Sequence, residues 1–331
     1  MDNKEKWTVL AELGKKLDKE NGSQTFQKYD AKVGQKIDCI STGLPSVDWE
    51  VFGCGGIPKG RIIEIYGEES SGKTALCSHI IGQCQKAGGI AAFIDAEHAL
   101  EPSYASVMGV DMSKLLIAQP DFGEQALEIV IALVESKAVD LIVVDSVSAL
   151  VPRAELEGEM GDSHMGLMAR MMSQCMRKLV GITSKSSTTI IFINQVRDKI
   201  GLVFGNPETT SGGKALRFAA TARIRVAREA QSKGGQIKDG EEIIGHKMKV
   251  KAHKNKAGAP FKETVIDLLY ASGFDMVDDL INHAQKIGLV EGNAWMTLKG
   301  EQEKYRRDEL PIDKIRASMA EYYSNLFKEK E

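Results

Sequence analysis

The sequence predicts an α/β fold: a twisted, mostly parallel central sheet flanked by helices, with an N-terminal helical arm and a small C-terminal α/β domain. Three observations carry this. Short, continuously apolar runs (RIIEIYG, GIAAFIDAE, VDLIVVDSVSAL, TTIIFINQ) recur along the chain, as strands buried on both faces do. Segments of helical periodicity separate them. The alternation of the two is the pattern of a parallel sheet covered by helices.

Residues 3–20, NKEKWTVLAELGKKLDKE, set Trp7, Leu10, Leu13 and Leu17 at helical spacing among charges, which predicts an amphipathic helix. The polar, Gly-broken stretch ENGSQTFQKYDAKVGQK reads as a linker. RIIEIYG then opens the α/β pattern, with SGKTALCSHIIGQCQKAG as the helix behind it. GIAAFIDAE, EQALEIVIALVESK, VDLIVVDSVSAL, HMGLMARMMSQCMRKLVGITSK and TTIIFINQ continue as strand, helix, strand, helix and strand. KALRFAATARIRVARE and HKMKVKAHK alternate more openly, as later strands of the same sheet. Beyond Gly273 the chain turns helical, with mixed Lys and Glu. The expected division is an arm and linker over 1–33, a core over 34–274 and a small domain over 275–331.

The chain has 331 residues, 43% hydrophobic and 27% charged, enough to bury a sizeable core. A net charge of −3 gives no global attraction to nucleic acid, so any such binding must rest on a local patch. The five cysteines (Cys39, Cys54, Cys77, Cys84, Cys175) contain no CxxC pair and read as free thiols of a reducing compartment. No signal-peptide pattern or long apolar run is present, so a cytoplasmic protein with no membrane contact is expected.

Gly67-Glu68-Glu69-Ser70-Ser71-Gly72-Lys73-Thr74, with Ala75 next, fits GxxxxGK[ST] between a strand and a helix, the mark of a P-loop NTPase. Its glycines let backbone N–H groups turn inward around a phosphate, and the helix N-terminus adds its positive end. Lys73 would neutralise the β- and γ-phosphates, and the Thr74 hydroxyl would ligate Mg²⁺. LIVVD ends in Asp145, a strand-end carboxylate suited to the same metal through water. FIDAEHA offers Asp95 and Glu97 as candidates to orient the attacking water, and composition does not choose between them. His98 reads as a structural neighbour, because the histidines lack metal-ligand spacing. Asp121-Phe122-Gly123 spells a kinase metal motif, but without an HRD-type loop it reads as a helix N-cap region.

Between Glu242 and Glu263 there are six lysines and no carboxylate. Lys247, Lys249 and Lys251 alternate and read as a solvated strand face. Lys254 and Lys256, beyond them, read as cations facing an anion, across a subunit boundary. Two long irregular segments, PRAELEGEMGDSHMG and VRDKIGLVFGNPETTSGG, follow strands of the phosphate site, where ligands of open α/β sheets gather. Arg170, Arg177, Arg197 and Lys199 lie in or near them, and Gly212 and Gly213 expose N–H groups. Composition leaves backbone-directed nucleic-acid binding and a surface loop both open.

Taken together, YGEESSGKT, FIDAEHAL, VVDSVSAL, GEMGDSHMGLMARMMSQCMRKL, IFINQVRDKIGLVFGNPETTSGG and KNKAGAPFK resemble the bacterial RecA recombinase family, from about Ile40 to Tyr270. The resemblance implies a RecA-like core using ATP and Mg²⁺. It also implies a helical homo-oligomer on single-stranded DNA, with ATP at the subunit interface, that pairs homologous duplex and exchanges strands in repair of DNA damage. Repressor and single-strand-binding proteins become candidate partners, and the N-terminal helix becomes an oligomerisation element. Glu97 resembles the catalytic glutamate, Gln195 the γ-phosphate sensor, and Tyr104 the residue stacking on adenine, with Tyr270 at a second adenine contact. Lys254 and Lys256 resemble lysines that reach the neighbouring subunit's ATP. Met165 and Ile200 match residues that wedge between base triplets. Arg170, Ser173, Arg177, Arg197, Lys199, Ser211, Gly212 and Gly213 match positions contacting the DNA backbone.

Several positions depart from the family pattern. Glu68 stands where Pro is usual, and Glu101 replaces the Asp before Pro102. Thr25-Phe26 occupies the place of a Met-Arg polymerisation contact, and Lys214 and Arg217 replace Asn and Lys. The mixed KEKE ending in place of an acidic tail implies weaker autoinhibition and a lower Mg²⁺ requirement for duplex engagement. A ring-forming helicase motor shares this core, and a regulatory ATPase or co-protease scaffold would bind DNA without pairing strands. The trans lysines and the second loop favour the filament. A nucleotide kinase is disfavoured, because no Arg-rich lid follows the phosphate loop.

Overall fold

Alternate residues of each apolar run pack on opposite sides of one sheet, which is why the runs carry no polar face. The computed structural model describes residues 1–22, 37–159, 166–198 and 208–328. It divides into two compact units, Met1–Lys36 with Ser324–Glu331, and Ile37–Tyr323. In the first, α1 (Asn3–Asn21) begins at an Asp2–Glu5 capping box and ends at Gly22 in the left-handed conformation. Trp7, Leu10 and Leu13 of its apolar stripe are exposed.

In the second unit, β1 (Cys39–Ile40) and β2 (Ile57–Pro58) pair around a π-helical turn, Ser46–Phe52. β3 (Ile62–Gly67), α2 (Lys73–Lys86), β4 (Ala91–Asp95), α3 (Pro102–Val107), β5 (Leu115–Ala118), α4 (Gly123–Ser136) and β6 (Leu141–Asp145) follow in strict alternation. Next come α5 (Arg153–Leu156), α6 (Leu167–Ser186), β7 (Thr189–Asp198), β8 (Glu208–Thr210) and α7 (Ala215–Ala219). The strands β9 (Ala222–Arg228), β10 (Gln236–Asp239), β11 (Glu242–Asn255), β12 (Glu263–Leu269) and β13 (Gly273–Phe274) complete the sheet. The C-terminal elements are α8 (Met276–Lys286), the hairpin β14 (Val290–Gly292) and β15 (Met296–Leu298), and α9 (Ile312–Lys328).

The main sheet runs β13-β12-β11-β9-β3-β7-β6-β4-β5, with β8 on β7 and β10 on β11. From β9 to β5 all neighbours are parallel, and β11, β12 and β13 extend the β9 edge antiparallel. Ile63, Ile65 and Phe93 pack against Leu76, Ile80 and Ile81 of α2. Ile62, Ile94, Val144 and Phe192 pack on the other side with Leu127 and Val130 of α4 and Met176 and Leu179 of α6. The later open-alternating segments are strands of this sheet, as expected, except that Ala215–Ala219 is helical. Lys254 Nζ donates to the carbonyls of Arg217 (2.9 Å) and Phe218 (3.0 Å), closing that short helix at its C-terminal end.

The C-terminal elements are held to the π-helical turn. Asp279, the carboxylate of α8 that faces the turn, accepts from the Ser46 N–H at 3.0 Å and from its hydroxyl. Trp49 stacks on Tyr323 with ring centroids 3.6 Å apart. His283 bridges Glu50 (2.9 Å) and the Tyr323 hydroxyl (2.6 Å).

A charged pair lies inside the sheet. Glu64 in β3 is 0% exposed; it accepts a hydrogen bond from Arg223 Nε in β9 and one from Asn194 Nδ2 in β7 at 3.0 Å. Removing one partner of a buried pair leaves an unpaired charge in the core. Glu64→Ala is therefore expected to cost about 3–5 kcal/mol of stability in urea unfolding, because Arg223 stays buried without its carboxylate. A loss below about 1 kcal/mol would contradict that reading of the pair.

Candidate functional site

The carboxyl ends of β3, β7, β6 and β4 lie side by side in the sheet, and the residues at or just past them face one place. Gly67 ends β3 under the β9 backbone: a Cβ there would lie 2.0 Å from the Val226 carbonyl oxygen. Ser70 and Gly72 adopt left-handed conformations (φ 55° and 93°), which turn the chain into α2. Gly72 caps α2 without a side-chain hydrogen bond, so the first N–H groups of the helix face the loop. Ser71 Oγ is buried and unpartnered. Lys73 Nζ folds over the loop onto the Glu68 carbonyl at 2.6 Å, and burial pulls its pKa down. A Gly-lined cradle, an orphaned hydroxyl and a tethered ammonium fit a bound polyphosphate.

Thr74 Oγ1 donates to Asp145 Oδ2 at 2.7 Å, joining the loop to the end of β6. Burial raises the Asp145 pKa to about 6, against the opposing hydrogen bond from Thr74. This hydroxyl–carboxylate pair is a donor set suited to Mg²⁺. Among the described residues no cluster of three or more His, Cys, Asp or Glu side chains forms a separate metal site.

The two carboxylates after β4 differ in what they touch. Asp95 is buried and turns back on its own segment. It accepts from the amides of Ala99 (3.1 Å) and Leu100 (3.2 Å) and from Gln119 Nε2 (3.0 Å). Glu97 is exposed at the mouth of the site. Its Oε1 accepts from the Ser146 hydroxyl and from Gln195 Nε2 at 3.3 Å. Asp95 thus shapes the loop, and Glu97 is presented by it.

A cleft of about 260 Å³ opens beside the phosphate loop, lined by Ser70 to Ala75, Tyr104, Arg228, His246, Leu268 and Tyr270. Arg228 Nε donates to the Ser70 carbonyl (2.8 Å), and His246 Nδ1 meets the Tyr270 hydroxyl at 3.3 Å. The structure brings Tyr104 and Tyr270 to the same cleft although they are far apart in sequence. Glu101 caps α3 through the Ser103 amide at 3.4 Å, just ahead of Tyr104.

Beyond Gln195 the chain is more regular than its composition suggests. Val196–Asp198 pairs antiparallel with Glu208–Thr210, so the second segment starts as a hairpin stem. Asn194 holds the return of that stem from both sides: Nδ2 donates to the Ser211 carbonyl (3.1 Å), and the Ser211 N–H donates to Oδ1 (3.2 Å). Gly212 and Gly213 follow with φ 80° and 78°. A Cβ on Gly212 would meet Val147, in the turn after β6, at 2.8 Å and Met172 of α6 at 3.2 Å, and one on Gly213 would meet Ala169 of α6 at 2.9 Å, so both backbones lie against α6. Arg170 and Arg177 are exposed on α6, with Ser173 partly buried between them, and Arg197 is exposed on β7. Met165, Lys199 and Ile200 lie outside the described residues, as do Thr25 and Phe26.

Other sequence expectations change in detail. The first irregular segment contains the short helix α5. Phe122 is the N-cap of α4, so Asp121-Phe122-Gly123 is the helix start that the sequence suggests. Lys247, Lys249 and Lys251 do share a strand face, but they pair across it, Lys247 with Asp267 and the other two with Glu263 at 2.7 and 2.8 Å. Lys254 is occupied inside the chain by α7, whereas Lys256 is exposed.

Sequence reasoning also missed Arg225. From β9 its Nε reaches both Glu208 oxygens, at 3.1 and 3.0 Å, and its Nη2 lies 3.5 Å from Glu68. The phosphate loop and the hairpin stem thus share one guanidinium.

A Gly-rich phosphate cradle, a hydroxyl–carboxylate pair and an adjacent glutamate, all at the carboxyl ends of parallel strands, define a P-loop ATPase. The family model described as the RecA N-terminal domain matches residues 8–275, and the chain belongs to the RecA family. "Protein RecA" of Acinetobacter baylyi is 51% identical over 300 residues, 90% of this chain and 84% of that protein. "Protein RecA" of Chloroherpeton thalassium is 53% identical over 287 residues, 86% and 79% of the two chains. The crystal structure of the RadB recombinase shares the fold, with a TM-score of 0.53 at 21% identity, covering 70% of this chain and 97% of that one. The protein is accordingly a nucleotide-binding, DNA-dependent ATPase of homologous recombination and DNA repair. No helix among the described residues is long and apolar enough to cross a membrane.

Asp95→Ala should cost about 1–3 kcal/mol in urea unfolding by stranding the donors it now accepts from. Hydrogen exchange at the Ala99 and Leu100 amides should accelerate. Unchanged protection there would show that Asp95 does not shape the loop.

Proposed function

We propose that this chain hydrolyses ATP within a helical filament on single-stranded DNA, pairs that strand with homologous duplex, and couples the two events through Gln195. One observation carries the coupling: Gln195 stands where β7 passes from the sheet into the second loop, and its amide reaches Glu97. In this reading Glu97 is the general base that orients water, because its exposed carboxylate stands just past β4 within reach of Gln195. Gln195 and Ser146 both donate to Glu97 and hold its carboxylate in place. A γ-phosphate competes for the Gln195 amide, so triphosphate binding would free the base and pull on the second loop together. By linkage, DNA held in that loop would favour the same arrangement.

The remaining roles follow from position. Gly67, Glu68, Glu69, Ser70, Ser71, Gly72, Lys73, Thr74 and Ala75 would cradle the phosphates, and Tyr104 and Tyr270 would flank the base. Thr74 and Asp145, the latter through water, would hold Mg²⁺, which when bound neutralises charge on the β- and γ-phosphates. Lys256, exposed on the turn after β11, is the better placed of the two lysines to reach a neighbouring subunit, since Lys254 is tied to α7. Arg170, Ser173, Arg177, Arg197, Ser211, Gly212 and Gly213 would contact DNA phosphates, which implies salt-dependent binding with little base preference. The α1 stripe of Trp7, Leu10 and Leu13 would pack on the next subunit, with 275–331 acting as a separate small domain. Cytoplasmic residence belongs to the same reading.

Gln195→Ala should leave nucleotide affinity within about twofold of the parent while abolishing stimulation of ATP turnover by single-stranded DNA. Retained stimulation would sink the coupling. Glu97→Gln should bind nucleotide normally and lower turnover by about 10²–10⁴-fold, the range of a lost general base. Near-parental turnover would move the base elsewhere. The reading as a whole is tested by ATPase assays with and without single-stranded DNA, paired with electron microscopy. DNA-stimulated turnover on helical filaments supports it, and closed rings with DNA-independent turnover do not.

A further inference from the structure

Three of the five cysteines, Cys77, Cys84 and Cys175, are buried as free thiols. Cys39 and Cys54 differ: both are partly exposed, and their sulfurs lie 3.4 Å apart. Cys39 begins β1, and Cys54 sits in the turn that follows the π-helical segment. The two backbones are forced together at Gly56, where a Cβ would stand 2.3 Å from the Ile40 carbonyl oxygen. Around Cys54, Gly53, Gly55 and Gly56 adopt positive φ values, so the turn is built from residues with little steric resistance to adjustment.

The two thiols are chemically unequal. The Cys39 S–H lies within reach of the Ile37 and Cys54 carbonyls (3.3 Å each) and of the Cys54 sulfur (3.4 Å), and Cys54 Sγ lies 3.2 Å from the Gly56 carbonyl. The contact between the two sulfurs pulls the Cys54 pKa down and pushes that of Cys39 up. The more readily ionised Cys54 is suited to attack first and Cys39 to resolve. Nothing in the ATPase reading uses either residue.

We propose that Cys39 and Cys54 form an oxidation site that reacts with low-molecular-weight disulfides of the glutathione type and closes to a reversible intramolecular disulfide. The Cys54 thiolate attacks one sulfur of the small disulfide, forming a mixed disulfide and releasing one glutathione thiolate. The Cys39 sulfur then attacks Cys54 Sγ, losing its proton to solvent and releasing the second glutathione as thiolate. The small disulfide is reduced to two thiols, and the two protein thiols are oxidised to one bond. Closure moves the sulfurs from 3.4 Å to about 2.05 Å.

The position gives the bond a consequence. The carbonyls of Val51 and Phe52, just before Cys54, accept from Asn255 Nδ2 at 3.2 and 2.8 Å. Gly258 packs so tightly that a Cβ would meet the Phe52 carbonyl at 2.3 Å. The Cys54 turn is therefore the platform beneath the segment that carries Lys256. A bond from Cys54 to β1 ties that platform to the β1–β2 pair.

The test is to incubate the full chain with oxidised glutathione, block free thiols and map peptides without reduction. The expected result is one Cys39–Cys54 linked peptide, with Cys77, Cys84 and Cys175 still free, and full reversal by dithiothreitol. Cys39→Ser should instead trap one glutathione on Cys54, and Cys54→Ser should take up none. Hydrogen exchange in 51–58 and 255–258 should slow in the oxidised wild-type protein. Wild-type protein that stays unreacted, or that accumulates glutathione on Cys54 without closing, overturns the proposal. So does trapping on Cys39 in Cys54→Ser. These readouts use neither ATP nor DNA, so they stand or fall apart from the filament reading.

Discussion

The Glu64 carboxylate, shut inside the central sheet, constrains most of what surrounds it. A charge without water must be met by partners of fixed geometry. Arg223 and Asn194 meet it from the strands on either side, and Tyr66 lies under the Arg223 guanidinium at 4.5 Å. Three neighbouring strands are thereby locked in register at one level. The phosphate loop leaves β3 only a few residues above that level, at Gly67, and β7 parts from β3 just past Gln195 to enter the hairpin stem. Their spacing is set from below by the same buried contacts.

Two further polar links stand on this base. Asn194 is shared between Glu64 and Ser211, so the group that satisfies the buried charge also anchors the return of the hairpin stem. Arg225, two residues along β9 from Arg223, bridges Glu208 of the stem and Glu68 of the phosphate loop. Glu68 occupies a position where the family resemblance leads one to expect Pro, and its charge here faces a guanidinium rather than the phosphate cradle alone. Backbone rigidity at that point is thus supplemented by an electrostatic tether, one that is partly exposed and therefore weakened by salt.

Local chemistry explains which parts were legible in the sequence. The phosphate loop, Thr74, Asp145 and the parallel core could be read because each is encoded within a few residues: glycines where the chain must turn, apolar runs where it is buried. Asp95 and Glu97 could not be separated by residue type, since both end the same strand. The distinction lies in rotamer and partners, Asp95 folding back on the 99–100 amides and Glu97 facing outward. Arg225–Glu208, Lys249–Glu263 and the capping of α7 by Lys254 escaped for a different reason. Each depends on which strands become neighbours, and the antiparallel edge β9-β11-β12 is decided only by the assembled sheet. Cys39 and Cys54 likewise looked scattered, because their meeting depends on the β1–β2 pairing.

If the nucleotide site and the second loop are one mechanical unit, their ligands must affect each other equally. Matched titrations test this: single-stranded DNA affinity with and without a non-hydrolysable ATP analogue, and analogue affinity with and without DNA. Both should tighten, by the same factor of at least about 10, a coupling near 1.4 kcal/mol. DNA affinity indifferent to the analogue would contradict the claim that Gln195 and the buried contacts beneath it join the two sites.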